Sequence, residues 1–371
     1  MRSPSLILAV TVFVCSSVCH AQQYLYTNDN VANKANSTTA LKINTAGKAT
    51  IIKTYPTGGR SAGGGSYYAS EPIALAQTTS NSCLFVSNGG DSTIAAFKID
   101  LASGKLATVK GSPFSYGVSG SQPLGISLAV GDGKLLFAGN SHNNSISVLK
   151  IAANCSLKSS SSVTVSYSPV DLKTTPNTKY LIATYMGPVD SFAIDYSKGK
   201  LTELGPFSSS GSAAGVDITC DGSTAFFGDA ATHTEVEAYR IQASGKLSEL
   251  GKFTNSKGSN SNNVLLSKDQ KKLFVTNNQS NEISVLAVGH NGVQFFETIV
   301  KLNTPGQFSA SLAENKAGTQ LYVSEARNPE SIGVLGIKSS SLKEVPGSPF
   351  GVVNNGFSPA GLIAVPAFTC K

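Results

Sequence analysis

The chain has no H-E-x-x-H, no G-x-S-x-G and no Gly-Lys-Ser/Thr ending to any glycine-rich run. That removes the signatures of helical zinc proteases, serine-hydrolase elbows and P-loop nucleotide enzymes. The run at 58–65, GGRSAGGG, shares only composition with a phosphate loop and reads as a flexible surface loop. None of the six cysteines forms a C-x-x-C or C-x-x-C-H pair, so structural zinc, redox and c-type haem motifs are absent. No run of lysine and arginine concentrates the formal charge of +7, which speaks for solubility and against nucleic acid. Long apolar stretches are missing too: residues 6–14 make nine, whereas a bilayer span takes about 20. No linker, low-complexity tail or second composition regime divides the chain.

What is present begins with an export signal. Arg2 gives a weak positive start, 6–14 an apolar core, and Cys19-His20-Ala21 a small-residue cleavage site before Gln22. Residues 1–21 are therefore read as a signal peptide, and 22–371 as a single mature domain that is secreted or periplasmic. Cleavage lowers the formal charge to +6 and leaves three histidines, His142, His233 and His290.

The mature chain repeats itself. YLYTN at 24–28, LFVSN at 84–88, LFAGN at 136–140, YLIAT at 180–184, AFFGD at 225–229, LFVTN at 273–277 and LYVSE at 321–325 recur at intervals of roughly 44 to 60 residues. After each comes a second alternating run such as IAAFKI at 94–99, then a turn, which reads Gly-Lys-Leu at 104–106, 199–201 and 245–247, another strand, and a loop often ending in proline before the next strand. Period-two alternation marks strands. Four strands in each of seven repeats predict an all-β, seven-bladed β-propeller. The phase of the repeat makes 359–365 an innermost strand whose partners lie at 24–28, 39–44 and 49–55. Pairing the two chain ends would close the ring and remove both sheet edges.

Four cysteines remain in the mature chain, and an even number in an exported protein favours disulfides. Cys83 and Cys370 both fall near the end of an innermost strand, in blades that become neighbours on closure. The expected bonds are therefore Cys83 to Cys370 and, by exclusion, Cys155 to Cys220.

The candidate site is placed on the face that carries the turns after the repeated strands and the loops between blades. Asn28, Asn88, Asn140, Thr184, Asp229, Asn277 and Glu325 end those strands. They form either a polar ligand ring or local turn caps, as Asn and Asp side chains commonly do. Just beyond lie Asp91, His142, Tyr185, His233 and Arg327. The sharpest catalytic arrangement makes His142 a base, Arg327 an anion clamp and Glu325 its orienting carboxylate. His290 belongs to an outer turn on the other face. The long connections at 56–71, 115–122 and 351–358 would raise a wall with Arg60, Tyr67, Tyr68, Tyr116 and Phe357 open to a sugar or an acid. No metal site is assigned; Asp229, Glu325 and the asparagines offer the only oxygen set for calcium.

The FVTN at 274–277, the Gly-Lys-Leu turns and the repeated Gly-Ser-Pro-Phe at 111–114 and 347–350 resemble the YVTN-repeat propellers. They also resemble the seven-bladed lactonase family that includes 6-phosphogluconolactonase. The resemblance implies a hydrolase with His and Arg in loops entering innermost strands, as Pro-Arg-His-Phe or His-x-His. Here those loops read Pro305-Gly306-Gln307-Phe308 and Tyr167-Ser168-Pro169-Val170. Two functions follow: a lactonase-like hydrolase of an unphosphorylated sugar-acid or other lactone, or a non-catalytic propeller binding a glycan, peptide or surface partner. No cofactor, nucleic acid or transmembrane segment is implied, and the chain is expected to be a monomer.

Overall fold

The computed structural model describes residues 22–30, 34–61, 71–116, 126–185, 187–207, 213–230, 235–254, 260–277, 280–289, 292–303, 308–326, 331–338, 341–351, 361–367 and 370. Their strands form seven antiparallel sheets, each a four-stranded blade; in six of them the four strands are consecutive. Two blades carry a short fifth strand, Phe114–Ser115 or Phe350–Gly351, formed by the end of each Gly-Ser-Pro-Phe segment. In both, the segment's serine accepts a backbone N–H from its own blade: Ala96 to Ser112 Oγ and Val334 to Ser348 Oγ, each at 2.9 Å.

The innermost strands are Gly361–Val365 in blade one, then Ile73–Gln77, Ile126–Gly131, Pro169–Thr174, Ala213–Ile218, Ser261–Leu266 and Phe308–Glu314. Each touches the next, and the last touches the first, so the blades form a closed ring. Closure is as the repeat phase predicts. Gly361–Val365 pairs with Gln23–Asn28, with Tyr24 opposite Val365 and Asn28 opposite Gly361. The first blade thus draws strands from both ends of the chain.

The apolar cores lie between blades. Tyr24 and Tyr26 of blade one pack with Leu84, Val86 and Phe97 of blade two. Phe226 and Val236 of blade five pack with Val264 and Leu273 of blade six, and Leu25 and Leu362 of blade one with Tyr322 and Val334 of blade seven. Burying both faces of each sheet explains why the repeated strands read as almost continuous apolar runs.

Polar positions of the repeat also acquire a role. The innermost strands of blades four to seven bulge near their start. In three of them the bulged N–H is caught by a hydroxyl at the end of the repeated strand: Asp171 donates to Thr184, Asn263 to Thr276 and Ser311 to Ser324, at 2.8–3.0 Å. A Thr or Ser there satisfies a donor that the bulge strands. The Gly-Lys-Leu turns dock blades. Gly104 and Gly245 have positive φ, and their carbonyls accept the Tyr26 and Ser191 hydroxyls of the preceding blade. A Cβ on Gly245 would stand 2.4 Å from the Tyr180 ring, whereas at Gly222, also at positive φ, the nearest atom is 3.8 Å away. Gly245→Ala should therefore lose about 2 kcal/mol and Gly222→Ala about 1, since only the first adds a clash to the backbone strain. Equal shifts in the urea midpoint would show that the docking contact carries nothing.

The expected disulfides are corrected. Cys83 bonds Cys155, and Cys220 bonds Cys370. Cys155 sits in the turn between the third and fourth strands of blade three, which docks on blade two, where Thr78 Oγ1 and Asn81 Nδ2 both donate to Ala153 O at 3.1 and 2.7 Å. Cys370 leaves its own blade and reaches the first turn of blade five. Residues 56–60 are corrected as well. They continue the strand Ala49–Arg60 instead of opening a loop, with Arg60 paired to Ala35. Among the described residues no helix is long and apolar enough to cross a membrane.

Candidate functional site

On the face bearing the turns after the repeated strands, the described side chains hold the scaffold together. Asn28 Nδ2 donates to the carbonyls of Pro72 and Ser87 in blade two, at 3.2 and 3.0 Å, and its Oδ1 accepts Asn30 N. Asn36 Nδ2 bridges Asn28 and Asn88 at 3.0 and 3.1 Å. Asp91 accepts the Arg60 N–H at 2.8 Å and the Thr93 hydroxyl at 2.7 Å, tying blade one to blade two. Arg60 and Asp91 are thus brought together, through the arginine's backbone.

The remaining site expectations are dispersed. His142 is exposed at the tip of a turn in blade three, its N–H donating to Asn140 Oδ1 at 3.3 Å. Glu325 is buried in blade seven and accepts the Ser331 hydroxyl at 2.7 Å, three blades away around the ring. Asp229 is buried at the end of its strand, and Asn277 Nδ2 donates to Ser284 Oγ at 2.7 Å. Tyr116, expected on the ligand wall, is instead buried in the core between blades two and three, because its ring joins the apolar cluster that holds Phe85 and Ile94 of one and Ile126 and Leu128 of the other. Tyr67, Tyr68, His233, His290, Arg327, Phe357 and the 305–308 loop up to Gln307 lie outside the described residues. Among the described residues no group of three His, Cys, Asp or Glu is arranged to hold a metal ion.

Among the described residues a cavity lies on the axis. It has a volume of about 390 Å³, and every blade contributes lining from its innermost strand or the segment leading into it: Ala364, Glu71, Val130, Lys173, Asp217, Leu266 and Glu314 in ring order. The first turns of blades four and six border it, with Thr175, Thr178 and Gln270, as do Ala367 and Cys370 of the C-terminal tail. It therefore opens towards the face opposite the one favoured by sequence.

Its charges are fixed by the sheet edges. Asp217 accepts Leu266 N of blade six at 2.8 Å through Oδ2, and its Oδ1 lies 3.1 Å from Lys173 Nζ of blade four. Glu314 Oε2 accepts Lys268 N at 2.8 Å. Behind the wall Asp171 accepts Val216 N and Leu172 N at 3.0 and 2.8 Å. Each carboxylate thereby satisfies backbone donors of an innermost strand or its turn. Burial pushes the Asp171 carboxyl well above its ordinary value, and the Glu71 charge adds to it. Burial likewise raises Glu71, against the pull of Lys173. Glu314 is pushed up to about 7, chiefly by burial. For Lys173 burial disfavours the charge, but Asp217, Glu71 and Asp171 outweigh it and hold the ammonium protonated. The cavity thus offers one fixed cation and a carboxyl that titrates near neutrality. These residues carry no motif; the available signal was charge within innermost strands, as in VDLKT at 170–174 and AAGVDI at 213–218.

Residues 179–309 match the family model of the lactonase, 7-bladed beta-propeller. The fold is that of the seven-bladed lactonase propellers. A candidate 6-phosphogluconolactonase from Bacteroides fragilis superposes with a TM-score of 0.74 at 17% identity, over 94% of this chain and 99% of that one. A protein from Lactobacillus plantarum gives 0.72 at 17% identity, over 92% and 98%. The periplasmic gluconolactonase of Pseudomonas aeruginosa gives 0.62 at 18% identity, over 76% and 84%. No curated protein matches the chain. At these identities the solved structures speak for the lactonase-propeller fold, and chemistry must be argued from residues.

Proposed function

We propose that this lactonase-type propeller is an exported hydrolase of an unphosphorylated lactone, bound in the axial cavity. The observation that carries the reading is the convergence there of Lys173, held protonated, and Glu314, which titrates near neutrality. Deprotonated Glu314 takes a proton from water as the water's oxygen attacks the lactone carbonyl. The Lys173 ammonium steadies the oxyanion; as collapse breaks the ring C–O bond, protonated Glu314 passes its proton to the leaving ring oxygen, giving the hydroxy acid and restoring the base. The likeness to a periplasmic gluconolactonase and the two disulfides fit a protein of an oxidising compartment.

The test is hydrolysis of glucono-1,5-lactone by chain 22–371 across pH 5 to about 9. The rate over the uncatalysed background should rise through an apparent pKa near 7. Glu314→Gln should remove that rise and lower kcat/KM by roughly 100-fold, the scale of a lost general base. A rise that survives Glu314→Gln would move the base elsewhere. The second reading is a non-catalytic binding propeller, favoured by the absence of His and Arg from 305–308 and 167–170. It gains if no lactone is turned over while one still shifts the melting temperature.

A further inference from the structure

The two disulfides differ in setting. Cys83 and Cys155 are fully buried between blades two and three, whereas Cys220 and Cys370 are both partly exposed. The second bond also spans the ring. The tail leaves blade one at Val365, and its Cys370 is bonded to the first turn of blade five, with blades six and seven between them on one side and two to four on the other. Ala367 and Cys370 lie in the wall of the axial cavity. On the receiving side, Cys220 N donates to Gln270 Oε1 at 2.8 Å, and Gln270 Nε2 donates to Ser267 O at 3.0 Å, so this turn is anchored to blade six. The blade side of the bond is therefore held in place whether or not the bond exists. On the tail side, Cys370 is joined to that turn through the bond.

We infer that Cys220–Cys370 is a latch: it fastens the C-terminal tail as one wall of the axial cavity, and its reduction opens that side to larger ligands. The reductant is a dithiol. A thiolate attacks one sulfur, the Cys220–Cys370 bond breaks, and two electrons and two protons pass to the cysteines as the dithiol becomes a disulfide. Access selects the bond, because a buried sulfur cannot be approached in line while a partly exposed one can. Cys83–Cys155 persists and keeps blades two and three together. The consequence for catalysis rests on the hydrolase reading above; the opening does not.

The experiment treats chain 22–371 with dithiothreitol under native conditions, alkylates with iodoacetamide and maps the cysteines by mass spectrometry. Cys220 and Cys370 should be modified at least about tenfold faster than Cys83 and Cys155. Amide exchange across 361–367 should rise on reduction while 213–218 stays unchanged, and Cys370→Ser should reproduce that pattern without reductant. In the released form kcat/KM for glucono-1,5-lactone should increase more than for the smaller γ-butyrolactone. Equal modification of all four cysteines, or unchanged exchange across 361–367, overturns the latch. Turnover of no lactone in either form overturns the hydrolase reading alone, since alkylation and exchange still decide the latch.

Discussion

A chain that stops at residue 356 is expected not to fold. It lacks one strand, Gly361–Val365, yet that strand is the inner partner of Gln23–Asn28. Leu362 and Ala364 belong to the core between blades seven and one, and Val365, with Ile363 against it, to the core between blades one and two. Burying Leu, Ile and Val side chains is worth about 1.5 to 3 kcal/mol each, so their loss alone approaches the 5–15 kcal/mol that typically separates folded from unfolded. The cut also exposes the edge of Gln23–Asn28 and breaks the contact between the first and last innermost strands, turning a closed ring into an open stack. The measurement is thermal unfolding by circular dichroism. The truncated chain should show no cooperative transition, while Cys370→Ser, which keeps the strand, should melt cooperatively at a lower temperature. A truncated chain melting within a few degrees of the full one would mean that the ring does not depend on its closing strand.

The ring was legible because its information is local. LFVTN at 273–277 or YLIAT at 180–184 announces a buried strand within five residues, and the phase of the repeat alone assigns 361–365 to the N-terminal blade. Cysteine pairing was not legible, since it depends on where a chain end travels after its last strand. The tail's path to blade five follows from the three-dimensional position of Cys220, which no sequence spacing encodes. The candidate site was missed for a related reason. Lys173, Asp217 and Glu314 look like ordinary polar positions of half-buried strands until seven innermost strands converge on one axis. The asparagines that end the repeated strands drew attention as a polar ring. In Asn28 and Asn277 the amides are donated to the scaffold itself.

Replacing Lys173 by Met tests what the axial charges contribute to stability. The substitution keeps the length of the stem but leaves Asp217, Glu71 and Asp171 without their cation. Removing one partner of a buried pair typically costs 3–5 kcal/mol. Because 31% of the Lys173 side chain remains open to the cavity, a loss of about 2 to 3 kcal/mol is expected at pH 8.5. The loss should depend on pH in a definite direction. Glu71, Asp171 and Glu314 have raised values in the folded protein, as does Asp190, which burial lifts to about 8. Over the window between ordinary carboxylate values and these raised ones, the folded state binds more protons than the unfolded. Their contribution to stability is then complete below about pH 4 and fades as pH rises through about 7 for Glu314 and about 8 for Asp190. The parent protein should therefore resist urea better at pH 5 than at pH 8.5. In Lys173→Met the slope should steepen, because carboxyls that have lost their cation hold protons to still higher pH. The gap between variant and parent should narrow towards pH 5, where protonation removes the unpaired charge. A gap of the same size at both pH values would show that Lys173 acts through its aliphatic packing and not through its charge.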